Sequence, residues 1–191
     1  FILKICGTVL SLLMHRFFQN YKKNLESSIS PKVFKNTEIL LNLLLEIRKN
    51  NRKLFLCGNG GSAGNANHIA NDFLYGVSAN SNKPGFNVES LSSNSSVITC
   101  LANDLGYQYI FSEQLKAKGN EGDLLIVLSG SGNSENIVKA LNEAKKLKMN
   151  TFAILGFDGG QCIDIADNVI HFDINDMQIS EDLQLVVMHM C

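Results

Sequence analysis

His68 and Asp72 stand four residues apart, pairing an imidazole with a carboxylate. On a helix that spacing puts both side chains on one face, where they can move protons together or hold a common ligand. Near the other end, Glu181, Asp182 and His189 lie in SEDLQLVVMHM, a run that Leu183, Leu185, Val186, Val187 and Met190 make apolar and helix-like. An acidic pair suits the first turn of a helix without any ligand, and a histidine in such a run serves equally as a hydrogen-bonded interface residue. Neither explanation reaches the separate His68–Asp72 pair.

Two turns could hold an anion. Asn59-Gly60-Gly61-Ser62 and Ser129-Gly130-Ser131-Gly132-Asn133-Ser134 each follow an apolar run and each open a helix-like segment. Gly60 and Gly61 permit a tight bend, and Ser62 is expected to cap the helix that runs through Ala66, Ile69 and Phe73. Free backbone N–H groups at such a helix start favour negative charge. In the second turn Ser129, Ser131 and Ser134 add hydroxyl donors, a nest that holds phosphate without arginine. Neither segment has the GxxxxGK[ST] or the full GxGxxG pattern. An ordinary helix cap explains one such turn; two on comparable strand ends favour a small phosphorylated ligand.

The elements that must carry these turns are legible as apolar runs. Residues 54–57, 124–128, 151–155 and 168–172 read as buried strands and residues 97–100 as a weaker one, with helical patterns between them that include residues 137–147. Residues 77–96 read as polar loop. Near-continuous apolar strands alternating with helices predict an α/β fold: a single doubly wound domain whose central, mainly parallel five-stranded sheet is flanked by helices. Ligands then bind beyond the carboxyl ends of the strands, where both turns fall. Residues 1–50 form a helical segment ahead of this unit, which spans residues 51–191. Ser30-Pro31 starts its second helix, and Val33, Phe34, Thr37, Leu40, Leu41, Leu44 and Ile47 then recur at helical spacing. This pair of helices is expected to cover a sheet or another subunit. Residues 1–13 are apolar but too short to span a bilayer and lack a small-residue cleavage site. The chain begins without Met and stops in an apolar pattern, so both ends read as trimmed.

Composition excludes whole classes of partner. Of 191 residues, 17 are Lys or Arg and 18 Asp or Glu, a formal charge of -1, so no broad positive field draws nucleic acid or an anionic membrane. The aromatic residues Phe73, Tyr75, Tyr107, Tyr109 and Phe111 have no basic groove beside them for base stacking. Any phosphate must be caught locally. The five cysteines, at 6, 57, 100, 162 and 191, lack the close pairing of a zinc ribbon or redox motif and read as small core residues in a reducing cytoplasm.

The run GNGGSAGNANHIA, together with SGSGNS and GFDGG, resembles the sugar isomerase (SIS) domain family and, within it, the phosphoheptose isomerase group. The likeness covers residues 54–191. It implies a cytoplasmic homotetramer that interconverts sedoheptulose 7-phosphate and D-glycero-D-manno-heptose 7-phosphate for a bacterial surface polysaccharide. By that resemblance Ser62, Ser129, Ser131 and Ser134 match phosphate-binding positions, and Asn103-Asp104 matches a polar site position ahead of a helix expected around Tyr107 and Phe111. It further implies that His68, Asp72, Glu181 and His189 line the active site and, as in some relatives, form a zinc set; Glu181 and His189 would lie about 12 Å apart along one helix, so partial ligation or ligands from neighbouring chains stay open. Asp72 is then the candidate base and His189 its acid or base partner. Four departures stand out: Asp72 replaces a glutamate, Glu181 a glutamine and Gly76 an arginine, and Gly130 stands where threonine is frequent. They leave room for another sugar phosphate as substrate, or for a non-catalytic role like that of relatives that regulate replication initiation.

Overall fold

The computed structural model describes residues 2–79 and 83–191, with side chains from residue 11 onward; Cys6 and the opening apolar side chains lie outside this set. Five strands form one sheet: β1 (Lys53–Gly58), β2 (Asn87–Ser90), β3 (Leu124–Ser129), β4 (Asn150–Leu155) and β5 (Asn168–His171). The helices are α1 (Ile2–Ser28), α2 (Pro31–Lys49), α3 (Gly61–Leu74), α4 (Ser95–Asp104), α5 (Ser112–Lys118), α6 (Glu135–Lys146), α7 (Cys162–Ile165) and α8 (Met177–Met190). Every strand pair is parallel, in the order β2-β1-β3-β4-β5. The chain leaves β1 toward β2 and then crosses back to β3, so the order reverses between β1 and β3. That is the point where an open sheet forms its crevice.

Strand alternation sorts the core into two layers. Leu54, Leu56, Ile126, Leu128 and Phe152 face α2, α3 and α8, meeting Leu40, Leu44, Ile69, Phe73, Ile179 and Leu183. Phe55, Cys57, Leu125, Val127 and Ala153 face the other way, onto Leu115 of α5 and Ile137, Leu141 and Ala144 of α6. Because the middle strands are buried on both faces, they read as unbroken apolar runs in the sequence.

Three local expectations are corrected. Residues 97–100 are helical, inside α4, because the Asn94 side chain accepts the Val97 N–H at 3.1 Å and starts a helix that half-exposed β-branched residues only mildly oppose. Residues 77–96 are not all loop: β2 adds to the edge of β1, with Val88 as its one strong β-former. Around Tyr107 the chain makes only a 3₁₀ turn, Tyr107–Tyr109, and α5 begins after Phe111.

Ser30 caps α2 through the Val33 N–H, with Pro31 in its first turn. α2 belongs to the core, burying Val33, Leu40, Leu44 and Ile47. α1 touches it less. Tyr21 donates to Asp182 of α8 at 2.5 Å, and this bond pushes the phenol pKa up to about 12. Leu12, Leu13, Phe17 and Phe18 of α1 stay exposed. Among the described residues no helix is long and apolar enough to cross a membrane.

Asp176 caps α8 by accepting the Ile179 N–H at 3.0 Å. Asp176→Ala should cost about 1 kcal/mol of stability, while Ile126→Ala, a cavity in the central strand, should cost about 2–5 kcal/mol. Urea unfolding followed by circular dichroism measures both.

Candidate active site

The first turn follows β1 at the reversal of strand order. Gly60 is the N-cap of α3 at φ +56°, a backbone region that favours glycine. A Cβ at Gly61 would meet the Glu181 carboxylate, which packs against this glycine and would have to move aside. Ser62 is not the expected cap: it is the second residue of α3, 3% exposed, and its Oγ accepts a hydrogen bond from Gln184 Nε2 at 3.0 Å. Asn59 is locked at the rim by a two-way amide pair with Asn136, at 2.8 and 2.9 Å, and by the Tyr107 hydroxyl at 2.9 Å.

The second turn follows β3, the neighbour of β1. Its backbone is held from behind by the loop after β4, the GFDGG segment: Gly156 N–H donates to Gly130 O and Cys162 N–H to Gly132 O. Those carbonyls are thereby occupied away from the crevice. Ser129 Oγ accepts the Gly132 N–H at 3.1 Å and Ser131 Oγ the Asn133 N–H at 3.3 Å. Ser134 caps α6 by backbone only. Asn59, Gly60, Gly61, Ser62, Ser129, Gly130, Ser131, Ser134 and Glu181 together line one pocket of about 250 Å³. Among the described residues its wall contains no lysine or arginine, so an anion there would be held by hydroxyl and N–H donors.

α3 and α8 run side by side in the same direction. Gly61, Asn65, His68 and Asp72 recur at intervals of four, three and four residues, which is one stripe of α3. The stripe faces α8. Gly61 meets Glu181, and Asn65 Nδ2 donates both to the Glu181 carbonyl at 2.9 Å and to Gln184 Oε1 at 3.0 Å. His68 Nε2 lies 3.1 Å from His189 Nε2, and Asp72 Oδ2 is 3.4 Å from the first and 3.6 Å from the second. The adjacent stripe of α3, Ser62, Ala66, Ile69 and Phe73, is buried against the sheet.

Among the described residues, His68, Asp72 and His189 form the cluster whose ligand atoms could share a metal ion, all within 4.8 Å of one another. Zn2+ takes nitrogen and oxygen ligands tetrahedrally at about 2.0–2.2 Å, which sets neighbouring ligand atoms about 3.3 Å apart. The observed 3.1, 3.4 and 3.6 Å fit that spacing. The cluster is half-exposed and adjoins a second pocket of about 260 Å³, lined by Ile69, Phe73, Gly76, Val77 and Met188.

The structure thus separates the four residues of the expected zinc set. His68, Asp72 and His189 converge, whereas Glu181 belongs to the pocket of the glycine turns, two helical turns away. Asn103 and Asp104 end α4, bonded to one another and to Cys100, and line neither pocket. Cys57 and Cys162 are buried core residues, as expected, and burial pushes their thiol pKa values up, Cys162 to about 11. Cys100 is instead exposed on α4. Gln184, Asn65, Asn136 and Tyr107 escaped the sequence reading because single amides and a lone phenol have no spacing signature. Gln184 alone could have been found, as a polar residue three past Glu181 inside an apolar helix.

The sequence model of the SIS domain family matches residues 16–156, from within α1 to just past β4. The phosphoheptose isomerase of Helicobacter pylori strain Shi470 is 34% identical over 177 residues, covering 93% of this chain and 91% of its own. That of Chlorobaculum parvum is 39% identical over 140 residues, covering 73% and 67%. The structure of phosphoheptose isomerase from Neisseria gonorrhoeae is similar with a TM-score of 0.86 at 26% identity, and each chain covers 95% of the other. Matched in motif, in most of its length and in the course of its backbone, the chain belongs to the SIS domain family and to the phosphoheptose isomerase group within it.

Proposed function

We propose that the protein isomerises sedoheptulose 7-phosphate to D-glycero-D-manno-heptose 7-phosphate, in the cytoplasm, to supply heptose for a surface polysaccharide. The observation that carries this reading is the α3–α8 seam. It places a donor-lined anion pocket at one end and a cluster of two imidazoles and a carboxylate two turns further along, about 10 Å away at 1.5 Å per residue. An extended seven-carbon chain with a terminal phosphate suits that separation.

In this reading Ser129, Ser131, Ser134 and Ser62 hold the phosphate, with the N–H groups at the start of α3, while Asn59 and Glu181 are assigned to sugar hydroxyls; Asn103 and Asp104, outside both pockets, take no part. A proton leaves C1 of the open-chain ketose, and the C1–C2 enediolate places negative charge on O2. A proton then returns to C2 while O1 loses its own, so the carbonyl moves from C2 to C1 without change in composition. Asp72 takes the C1 proton, and His189 exchanges protons with the two oxygens. His68, Asp72 and His189 would hold Zn2+, which supplies Lewis-acid polarisation of sugar oxygens when bound. A carboxylate committed to a cation is a weak base, so metal dependence decides which task Asp72 performs.

A different sugar phosphate is the second reading. The pocket beside Asp72 and His189, open where Gly76 has no side chain, could admit a substrate bulkier than heptose at its reacting end. A panel of ketose and amino-sugar phosphates, assayed by loss of label from the carbon next to the carbonyl, separates the two. Efficient turnover of another sugar with none of the heptulose phosphate overturns the first.

Four copies are expected to assemble through the exposed apolar face of α1 and the end of α8, where Leu12, Phe17, Phe18 and Met190 lie open. Light scattering should give four times the chain mass; a monomer across a wide concentration range rejects the assembly.

The paired change Ser129→Ala and Ser131→Ala should raise the dissociation constant for a phosphosugar by about 100-fold or more, each of the two lost charge-assisted hydrogen bonds being worth about 1.5–3 kcal/mol. Calorimetric titration measures it, and unchanged affinity in the folded variant removes these serines from phosphate binding.

His189→Ala should lower turnover of sedoheptulose 7-phosphate by about 10²–10⁴ while the oligomer persists. Chelation of the wild-type enzyme, with zinc counted before and after, should abolish activity that Zn2+ restores if the cluster works as a metal centre. Activity that survives complete metal removal assigns Asp72 the role of free base.

A further inference from the structure

We infer that Gln184 is a positioning residue that fixes Ser62 as a hydrogen-bond donor to the anion in the pocket between the two glycine turns. The inference rests on the reading of that pocket as an anion site.

The direction of each bond follows from one fixed acceptor. The main-chain carbonyl of Glu181 can only accept, so the Asn65 side-chain atom 2.9 Å from it must be the amide nitrogen. That same nitrogen lies 3.0 Å from Gln184, which must therefore present its oxygen to Asn65. The Gln184 amide is then oriented, and its nitrogen faces Ser62 Oγ at 3.0 Å. Nitrogen in an amide donates and does not accept, so Ser62 accepts. Its single proton is left to point elsewhere.

Both partners are buried, Ser62 3% exposed and Gln184 1% exposed, so water does not scramble the arrangement. No acceptor among the described residues takes the Ser62 proton, while Ser62 lines the pocket. The same logic governs the other turn, where the Ser129 and Ser131 oxygens already accept the Gly132 and Asn133 N–H groups. Three serines around the pocket thus have an oxygen lone pair engaged internally and a proton to offer. A phosphate oxygen, which only accepts when ionised, is the complement. In the second turn the backbone itself sets this polarity. In the first it depends on a side chain from a distant helix.

Gln184→Glu reverses the polarity at nearly constant shape, since a carboxylate there captures the Ser62 proton while still accepting from Asn65. The added charge also repels an anion, so the reversal is isolated by a double-mutant cycle with Ser62→Ala. Inorganic sulfate is the probe: it is tetrahedral and doubly charged throughout the neutral range, and calorimetry gives its dissociation constant for the full-length protein. Ser62→Ala alone should weaken sulfate about 10-fold or more. Gln184→Glu alone should weaken it at least as much, and the double variant should bind no worse than Gln184→Glu. A Gln184→Glu penalty of the same size with Ser62 present or replaced overturns the inference, because charge alone then explains it. Unchanged binding in Gln184→Glu overturns it as well.

Should the buried carboxylate prevent folding, Asn65→Asp makes the same test from a partly exposed position. An acceptor at residue 65 obliges Gln184 to turn its amide nitrogen away from Ser62, and the loss of sulfate affinity should be smaller in the Ser62→Ala background, where only the added charge acts. A loss of the same size in both backgrounds counts against the inference. Wild-type protein that binds neither sulfate nor phosphate rejects the anion pocket itself, and with it any task for Gln184.

Discussion

The parallel contact of α3 with α8 is the constraint on which the rest of the site depends. Two neighbouring stripes of α3 divide the work: Ser62, Ala66, Ile69 and Phe73 fasten the helix to the sheet, and Gly61, Asn65, His68 and Asp72 meet α8. Asn65, His68 and Asp72 set polar groups along the seam, half-buried or exposed rather than sealed in the core, and polar groups taken even partly from water cost less when paired. Here each finds its partner across the helix pair, and no buried side-chain polar atom among the described residues is left unsatisfied. The pairing fixes the axial register of the two helices. A slip of one turn, about 5.4 Å, would separate the histidines and drive Glu181 away from Gly61.

The topology gives the pocket between the glycine turns an electropositive wall with no lysine or arginine among the described residues that line it. β1 and β3 are adjacent yet lead to different helices, so the starts of α3 and α6 converge on one crevice. Each supplies free N–H groups and a partial positive charge. The loop after β4 reinforces the second turn by taking up the Gly130 and Gly132 carbonyls, leaving hydroxyls and N–H groups toward the crevice. Glu181 is the one carboxylate in that wall.

Most of the fold was legible because the central strands are buried on both faces, which writes their apolar runs plainly into the sequence. The failures share a cause. β2 is an edge strand of four residues with little to bury, and residues 97–100 are β-branched yet helical because the signal that mattered was the Asn94 cap three residues earlier. At the site, spacing exposed His68 with Asp72 because both lie on one helix. The same spacing puts Glu181 and His189, eight residues apart on another helix, about 12 Å from one another, and they attend opposite ends of the seam; only the family resemblance groups them in one ligand set. Gln184 was illegible for a different reason: its importance lies in the direction of one amide, which only a fixed acceptor elsewhere determines.

The half-exposure of His68, Asp72 and His189 sets a further requirement on any chemistry there. Proton transfer and charge stabilisation gain strength as water is excluded, since the effective dielectric falls and fixed dipoles replace mobile ones. Within one chain the two imidazoles remain about half open to solvent. Around them Leu74, Tyr75, Val77 and Met190 present apolar surface that no described residue covers. Single exposed apolar residues are ordinary, but several flanking one polar cluster mark a surface to be closed. The Tyr21–Asp182 bond ties α1, with its own open apolar face, to the helix that carries Glu181, Gln184 and His189. Contacts made by α1 and contacts made at the cluster therefore bear on the same helix, so whatever buries one surface also sets the position of α8 in the other.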